Sequence, residues 1–257
     1  RVWTDTQWNA ILTRGPQIRG VRRLFRIAPS APRCGICLAP VSGLGGRAFR
    51  MIGFAPSRKN PRYCMECFER APHGGAEVDA GILFADIRGL TTFSESRTPE
   101  DVVRLLNRFY RLATNVLAGH GAIIDKLVGD EVMAIFVPGL AGASYVEHMI
   151  QASEELLRGA GYGPTTEPWL HLGIGLDRGV AYVGNVGADE VKDFTAIGDV
   201  VNTASRLQAE ASAGEIVMSD RVHSVADRPY HSERCIDLDL RGKSESVRAW
   251  VIQLNRS

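Results

Sequence analysis

The sequence predicts an α+β fold, a ferredoxin-like layered sheet preceded by a small basic N-terminal module. From about residue 76 onward, apolar strand-like runs alternate with amphipathic helical stretches. Short turn-forming connections join several strands as hairpins rather than crossovers. Composition also changes along the chain: residues 1–75 hold 13 Lys+Arg against 3 Asp+Glu, whereas residues 76–257 hold 17 against 26. The boundary is expected at the small, turn-prone stretch Ala71-Pro72-His73-Gly74-Gly75, a linker between a module at 1–75 and a domain at 76–257.

Residues 1–27 carry Trp3, Trp8, Ile11, Leu12 and further apolar side chains at loosely helical spacing, broken at Gly15-Pro16. A short amphipathic helix packed on protein is expected, with a membrane-surface helix as the alternative. Val78–Ile87 reads as a buried strand ending in Asp86. Thr98-Pro99-Glu100-Asp101 has the form of a helix start, and the helix should run to Ala118. Two strands, 122–128 and 131–137, flank a tight hairpin at Gly129-Asp130. A helix over 143–158 follows, then a second hairpin of 171–177 and 180–186 around Arg178-Gly179. A third helix is expected over 199–211 and later strands over 216–218, 235–240 and 247–254. No uninterrupted apolar run reaches the roughly 18–20 residues of a membrane helix. The chain begins at Arg1 rather than Met, as a fragment of a longer protein would.

The chemistry concentrates in carboxylates at strand ends. Asp86 closes an apolar strand, and Asp130 tips a hairpin whose strands are rich in Val, Ile and Phe. Charge there is costly without a partner. One reading makes Asp86 a helix cap and Asp130 an ordinary turn residue. The other makes them a nest for Mg²⁺, which shares oxygen ligands with phosphates.

Three stretches bear on this choice: Phe84-Ala-Asp-Ile-Arg-Gly-Leu-Thr-Thr-Phe, Asp125-Lys-Leu-Val-Gly-Asp-Glu-Val-Met-Ala-Ile-Phe, and Phe194-Thr-Ala-Ile-Gly-Asp-Val-Val-Asn-Thr-Ala-Ser-Arg-Leu. In this order they resemble the catalytic domain of class III nucleotidyl cyclases, which convert a nucleoside triphosphate to its 3′,5′-cyclic monophosphate and pyrophosphate. The resemblance spans residues 77–254. It implies that Asp86 and Asp130, with the Ile87 carbonyl, hold two Mg²⁺ or Mn²⁺ ions. It places Lys126 and Thr195 as the pair that reads the purine, although many members of the family have Asp at the second position. A Lys ammonium can only donate, which suits N1 of adenine, so ATP is expected over GTP. Asn202 is implied to orient the ribose and Arg206 to stabilise charge on the α-phosphate. Arg241 is implied to grip the terminal phosphates where the family usually has Lys, and Lys243 is an alternative for that role. The family builds its site between two domains, so a homodimer with two composite sites is implied.

Cys34-Gly-Ile-Cys37 and Cys64-Met-Glu-Cys67 form two C-x₂-C pairs. Four thiolates suit tetrahedral Zn²⁺, with an iron–sulfur cluster as the alternative and disulfides disfavoured. Gly43, Gly45, Gly46 and Gly53 would let the intervening loop fold compactly. Cys235 is expected as a buried apolar residue in a strand. His73 is expected as a surface residue rather than a ligand.

The resulting expectation is a cytoplasmic adenylyl cyclase. Its rivals are a catalytically silent cyclase-like sensor or dimerisation domain, a guanylyl cyclase, and a nucleic-acid-binding regulator built on the basic module. The full residue set argues against silence. Metal-bound thiolates and the acidic second part would absorb the module's charge and argue against nucleic acid. Diguanylate cyclases share an acidic hairpin, but the Asn-x-x-x-Arg helix and Lys126 fit the mononucleotide family.

Overall fold

The computed structural model describes residues 4–15, 23, 25, 32–57, 60–68, 70–163, 167–188, 191–226, 233–239 and 246–254. Helix α1 (Asp5–Arg14) opens on a capping box between Thr4 and Gln7 and ends at Gly15. Helix α2 (Gly43–Met51) occupies the stretch expected as a glycine-rich loop. The glycines there serve packing as well, because a Cβ on Gly46 would meet the Val41 carbonyl carbon at 2.8 Å.

Strand β1 (Gly74–Ile87) starts inside the expected linker. Gly75 lies so close to β4 that a Cβ would sit 2.3 Å from the Val183 carbonyl oxygen. The turn-prone signature of this stretch therefore also records a close approach of two backbones. Helices α3 (Leu90–Glu95) and α4 (Pro99–Gly119) follow. The Thr98 hydroxyl caps α4 by accepting from the Asp101 N–H at 3.2 Å. Strands β2 (Ile123–Val128) and β3 (Glu131–Phe136) form the expected hairpin. Then come α5 (Pro138–Ala141), α6 (Tyr145–Gly159), β4 (Leu172–Ala188), β5 (Val191–Ile197) and α7 (Asp199–Glu210). The remaining elements are β6 (Glu215–Ser219), α8 (Asp220–His223), β7 (Glu233–Leu238) and β8 (Val247–Gln253). Among the described residues no helix is long and apolar enough to cross a membrane.

The strands form one sheet in the order β2-β3-β1-β4-β6-β8-β7, with β5 paired to β4. All described pairings are antiparallel except β4 with β6. The sheet is buried on both faces, which explains the nearly continuous apolar run of β1. Leu83, Ala85 and Ile87 pack with α4 and α6 on one face. Val78, Ala80, Ile82 and Phe84 pack on the other with Trp8, the four cysteines of the two C-x₂-C pairs, and Val200 and Ala204 of α7. That second apolar cluster spans residues on both sides of position 75.

Two expectations are corrected. No hairpin turns at Arg178-Gly179: β4 runs unbroken for 17 residues, and Asp177, Arg178 and Gly179 stay paired with Ile82, Gly81 and Ala80. The polar residues that suggest a turn are satisfied across the strand. The Ser219 hydroxyl donates to buried Asp177 at 2.6 Å, Arg221 pairs with the same carboxylate, and Arg178 pairs with Asp79. The antiparallel partner of β4 on this side is β5, with Ala188 opposite Val191. Cys235 is exposed rather than buried, because β7 is an edge strand paired only with β8 among the described residues.

Candidate active site

The end of β1 and the tip of the β2–β3 hairpin meet. Asp86 is in register with Glu131, and the Ile87 N–H donates to the Asp130 carbonyl at 3.1 Å. Gly129 turns the chain at φ 61°, and the Tyr110 hydroxyl of α4 donates to its carbonyl at 2.6 Å, pinning the tip. This junction gathers Asp86, Asp130 and Glu131. Burial, and then the charge of Asp130, push the Asp86 carboxyl above the ordinary carboxylate range, against the pull of Arg88. Glu131 is raised by burial and then by Asp86 and Asp130. Arg88 supplies part of the compensating charge, with Nη1 3.1 Å from Asp86 Oδ2. The same guanidinium also donates to the Gln208 carbonyl of α7. Two crowded carboxylates beside a strand end match the oxygen donors that Mg²⁺ or Mn²⁺ requires, and a dication there would relieve their repulsion.

Lys126 lies just beyond a bulge in β2 and is exposed. Thr195 lies on β5, and its hydroxyl donates to Asp125 Oδ2 at 2.6 Å. The fold thus brings Thr195 to the residue that precedes Lys126, although β2 and β5 are separated within the sheet. Helix α7 buries Val200, Thr203, Ala204, Leu207 and Gln208, leaving Asn202 exposed and Arg206 half-buried. Among the described residues Arg206 makes no ion pair. Arg241 and Lys243 lie outside the described residues.

Sequence reasoning missed Arg88, Glu131 and Asp125. Arg88 follows Asp86 by two residues, a spacing that puts both on one side of an extended chain, and this could have marked it. Asp125 could not have been found by alternation, because the bulge in β2 breaks it.

The family described as "Adenylate and Guanylate cyclase catalytic domain" matches residues 76–253. The chain belongs to this family. It is 30% identical over 201 residues to an adenylate cyclase of Anabaena cylindrica, covering 71% of this chain and 40% of the relative. It is 37% identical over 131 residues to adenylate cyclase 1 of Rhizobium meliloti, covering 49% of this chain and 20% of that protein. The chain therefore spans less than half the length of these relatives. Among solved structures it is similar to the adenylyl cyclase CyaB from P. aeruginosa, with TM-score 0.58, 31% identity and coverage of 68% of this chain and 94% of that one. It is also similar to the guanylyl cyclase Cya2, with TM-score 0.63, 26% identity and coverage of 70% and 94%.

The chain carries a second cluster. The ligand atoms of Cys34, Cys37, Cys64 and Cys67 all lie within 4.8 Å of one another, and the Cys37 and Cys64 sulfurs are 3.7 Å apart. A tetrahedral ion with metal–sulfur bonds of about 2.3 Å sets sulfur–sulfur separations near 3.8 Å, so the cluster fits a tetrahedral metal. The four cysteines are unbridged. Contacts from the other three sulfurs hold the Cys34 thiol low, and this in turn pushes Cys64 and Cys67 up. Four simultaneous thiolates at this spacing call for a cation.

The segment bearing the cysteines docks on the catalytic sheet. Arg62 donates to the Ala118 and Gly119 carbonyls at 2.9 and 2.7 Å, placing a cation at the C-terminus of α4. Asn185 Nδ2 donates to the Ala71 carbonyl at 2.9 Å. Phe68, next to Cys67, packs on Phe194 with ring centroids 4.6 Å apart, and Trp8 approaches the same ring at 6.0 Å. Phe194 directly precedes Thr195.

Proposed function

We propose that this chain is an adenylyl cyclase that converts ATP to 3′,5′-cyclic AMP and pyrophosphate at sites shared between two copies of itself. The observation that carries the reading is the meeting of Asp86 and Asp130 at one end of the sheet, within a matched cyclase catalytic domain. Asp86 and Asp130, with the Ile87 carbonyl, would hold two Mg²⁺ or Mn²⁺ ions. Bound there, the ions would draw in the triphosphate oxygens and lower the pKa of the ribose 3′-hydroxyl.

The chain's own residues position the rest. Lys126 donates to N1 of the adenine and Thr195 engages its 6-amino group. Asn202 orients the ribose so that the 3′-oxygen faces the α-phosphorus. The 3′-hydroxyl gives up its proton to water, and its oxygen forms a new bond to phosphorus as the bond to pyrophosphate breaks. Arg206 stabilises the negative charge that accumulates on the α-phosphate, a contribution of about 3–4 kcal/mol for a preorganised donor. Arg241 or Lys243 holds the departing pyrophosphate. The acids come from one subunit and Lys126, Thr195, Asn202 and Arg206 from the other. Zn²⁺ at the four cysteines is the structural clip of the N-terminal module.

The test is product analysis. The purified chain, given ATP with Mg²⁺ or Mn²⁺, should form cyclic AMP, and GTP should be a poorer substrate. No cyclic nucleotide under any divalent metal, from a folded dimer, would favour a silent cyclase-like domain.

A further inference from the structure

The purine-reading pair has a third member, which opens the second motif but is assigned no role by it. Asp125 is 4% exposed at the bulge of β2, and its Oδ2 accepts the Thr195 hydroxyl at 2.6 Å. A hydroxyl carries one donor and two acceptor lone pairs, whereas a carboxylate only accepts. The Thr195 proton is therefore committed inward, and the oxygen has only lone pairs left to offer. Lys126, the next residue along β2, offers the reverse: an ammonium with three donors and no acceptor.

We infer that Asp125 is the positioning residue that sets the choice of purine: by holding the Thr195 proton, it fixes Thr195 as an acceptor. An acceptor beside a donor matches the 6-amino group and N1 of adenine. It opposes guanine twice, with lone pairs facing the 6-oxo group and an ammonium facing N1–H. Without Asp125, a threonine hydroxyl could rotate to serve either base. Burial of the carboxylate keeps water from competing for that proton. A site built to hydrogen-bond one pattern rejects its complement because buried polar groups are left unpaired. The inference rests on the assignment of Lys126 and Thr195 to the base.

Equilibrium binding of the α,β-methylene analogues of ATP and GTP tests it without turnover. The wild-type chain should prefer the adenine analogue by at least about tenfold. In Asp125→Asn the amide can donate to the Thr195 oxygen and turn the hydroxyl proton toward the base, so the preference should fall to within about threefold. In a Thr195→Ala background the same substitution should leave the ratio unchanged, which a merely structural role for Asp125 would not predict. Asp125→Ser serves if the asparagine variant fails to fold. A folded Asp125 variant that keeps the wild-type ratio, or that shifts it equally without Thr195, overturns the inference, as does a wild-type preference for the guanine analogue. Turnover of ATP is scored separately: cyclic AMP formation with an unshifted binding ratio sinks the role of Asp125 alone. The predicted ratios without any cyclic product sink the catalytic reading alone.

Discussion

Asp86 sits among Arg88, Asp130 and Glu131, and its carboxyl is pushed up by burial and by a like charge. Such crowding opposes the ionised carboxylate in the folded chain, and a cation held there, as proposed, would relieve it. Asp86→Asn should therefore lower cyclase activity by at least about 100-fold while moving the melting temperature, measured without added divalent metal, by no more than about 3 °C. A large loss of stability would show that the carboxylate serves folding through Arg88 instead.

Tyr63 illustrates a different kind of burial. It stacks on Phe68 at 5.7 Å, and burial pushes its hydroxyl up to about 12 against the opposing charge of Arg62. The folded chain holds that proton more tightly than the unfolded chain, whose tyrosines ionise near 10. The corresponding stability is fully present below pH 10 and is lost as pH rises toward 12. Denaturant midpoints over that range should fall more steeply for the wild type than for Tyr63→Phe. At this scale the sequence was informative about identity and poor about partnership. The motifs name Asp86, Lys126 and Asn202, but Asp125 shows its partner only when strands distant in sequence lie together.

Helix α7 carries Asn202 and Arg206, and its seating depends on Gly175 of β4. A Cβ there would meet the Gln208 nitrogen at 2.1 Å and the Ala204 carbonyl oxygen at 2.4 Å. Both are backbone atoms, so the helix must move to admit a methyl group. Gly175→Ala should cost about 1–3 kcal/mol by urea denaturation and lower kcat as Arg206 shifts. Unchanged kcat would separate the helix from the chemistry. Elements were legible where periodicity and caps agreed, as at Thr98-Pro99 and the Gly129 hairpin. They were misread in β4, where Asp177, Arg178 and Gly179 imitate a turn but find partners in Ser219, Arg221 and Asp79. Strand β5 was not predicted, because its pairing comes from β4 rather than from an apolar pattern of its own.

Across the whole molecule, the four-cysteine segment and the catalytic sheet share an apolar cluster, and Phe68 and Trp8 bear on the strand that carries Thr195. The cysteine spacing announced a cluster of four sulfurs, which the structure shows, but nothing in the sequence could show where that cluster docks. If Zn²⁺ is the clip, elemental analysis should find one ion per chain. Stripping it should alter tryptophan fluorescence through Trp8 and weaken nucleotide binding together. Loss of metal with both unchanged would make the segment an independent appendage.

The central claim is that each site takes its acids from one copy and its Asn202 and Arg206 from another. Complementation tests it most directly. Asp86→Ala and Arg206→Ala variants, each inactive alone, are mixed in equal amounts and allowed to exchange subunits. Half of the dimers are then mixed and hold one intact site of two, so activity should recover to about a quarter of the wild-type value. No recovery, with mixed dimers demonstrated, would contradict the shared site.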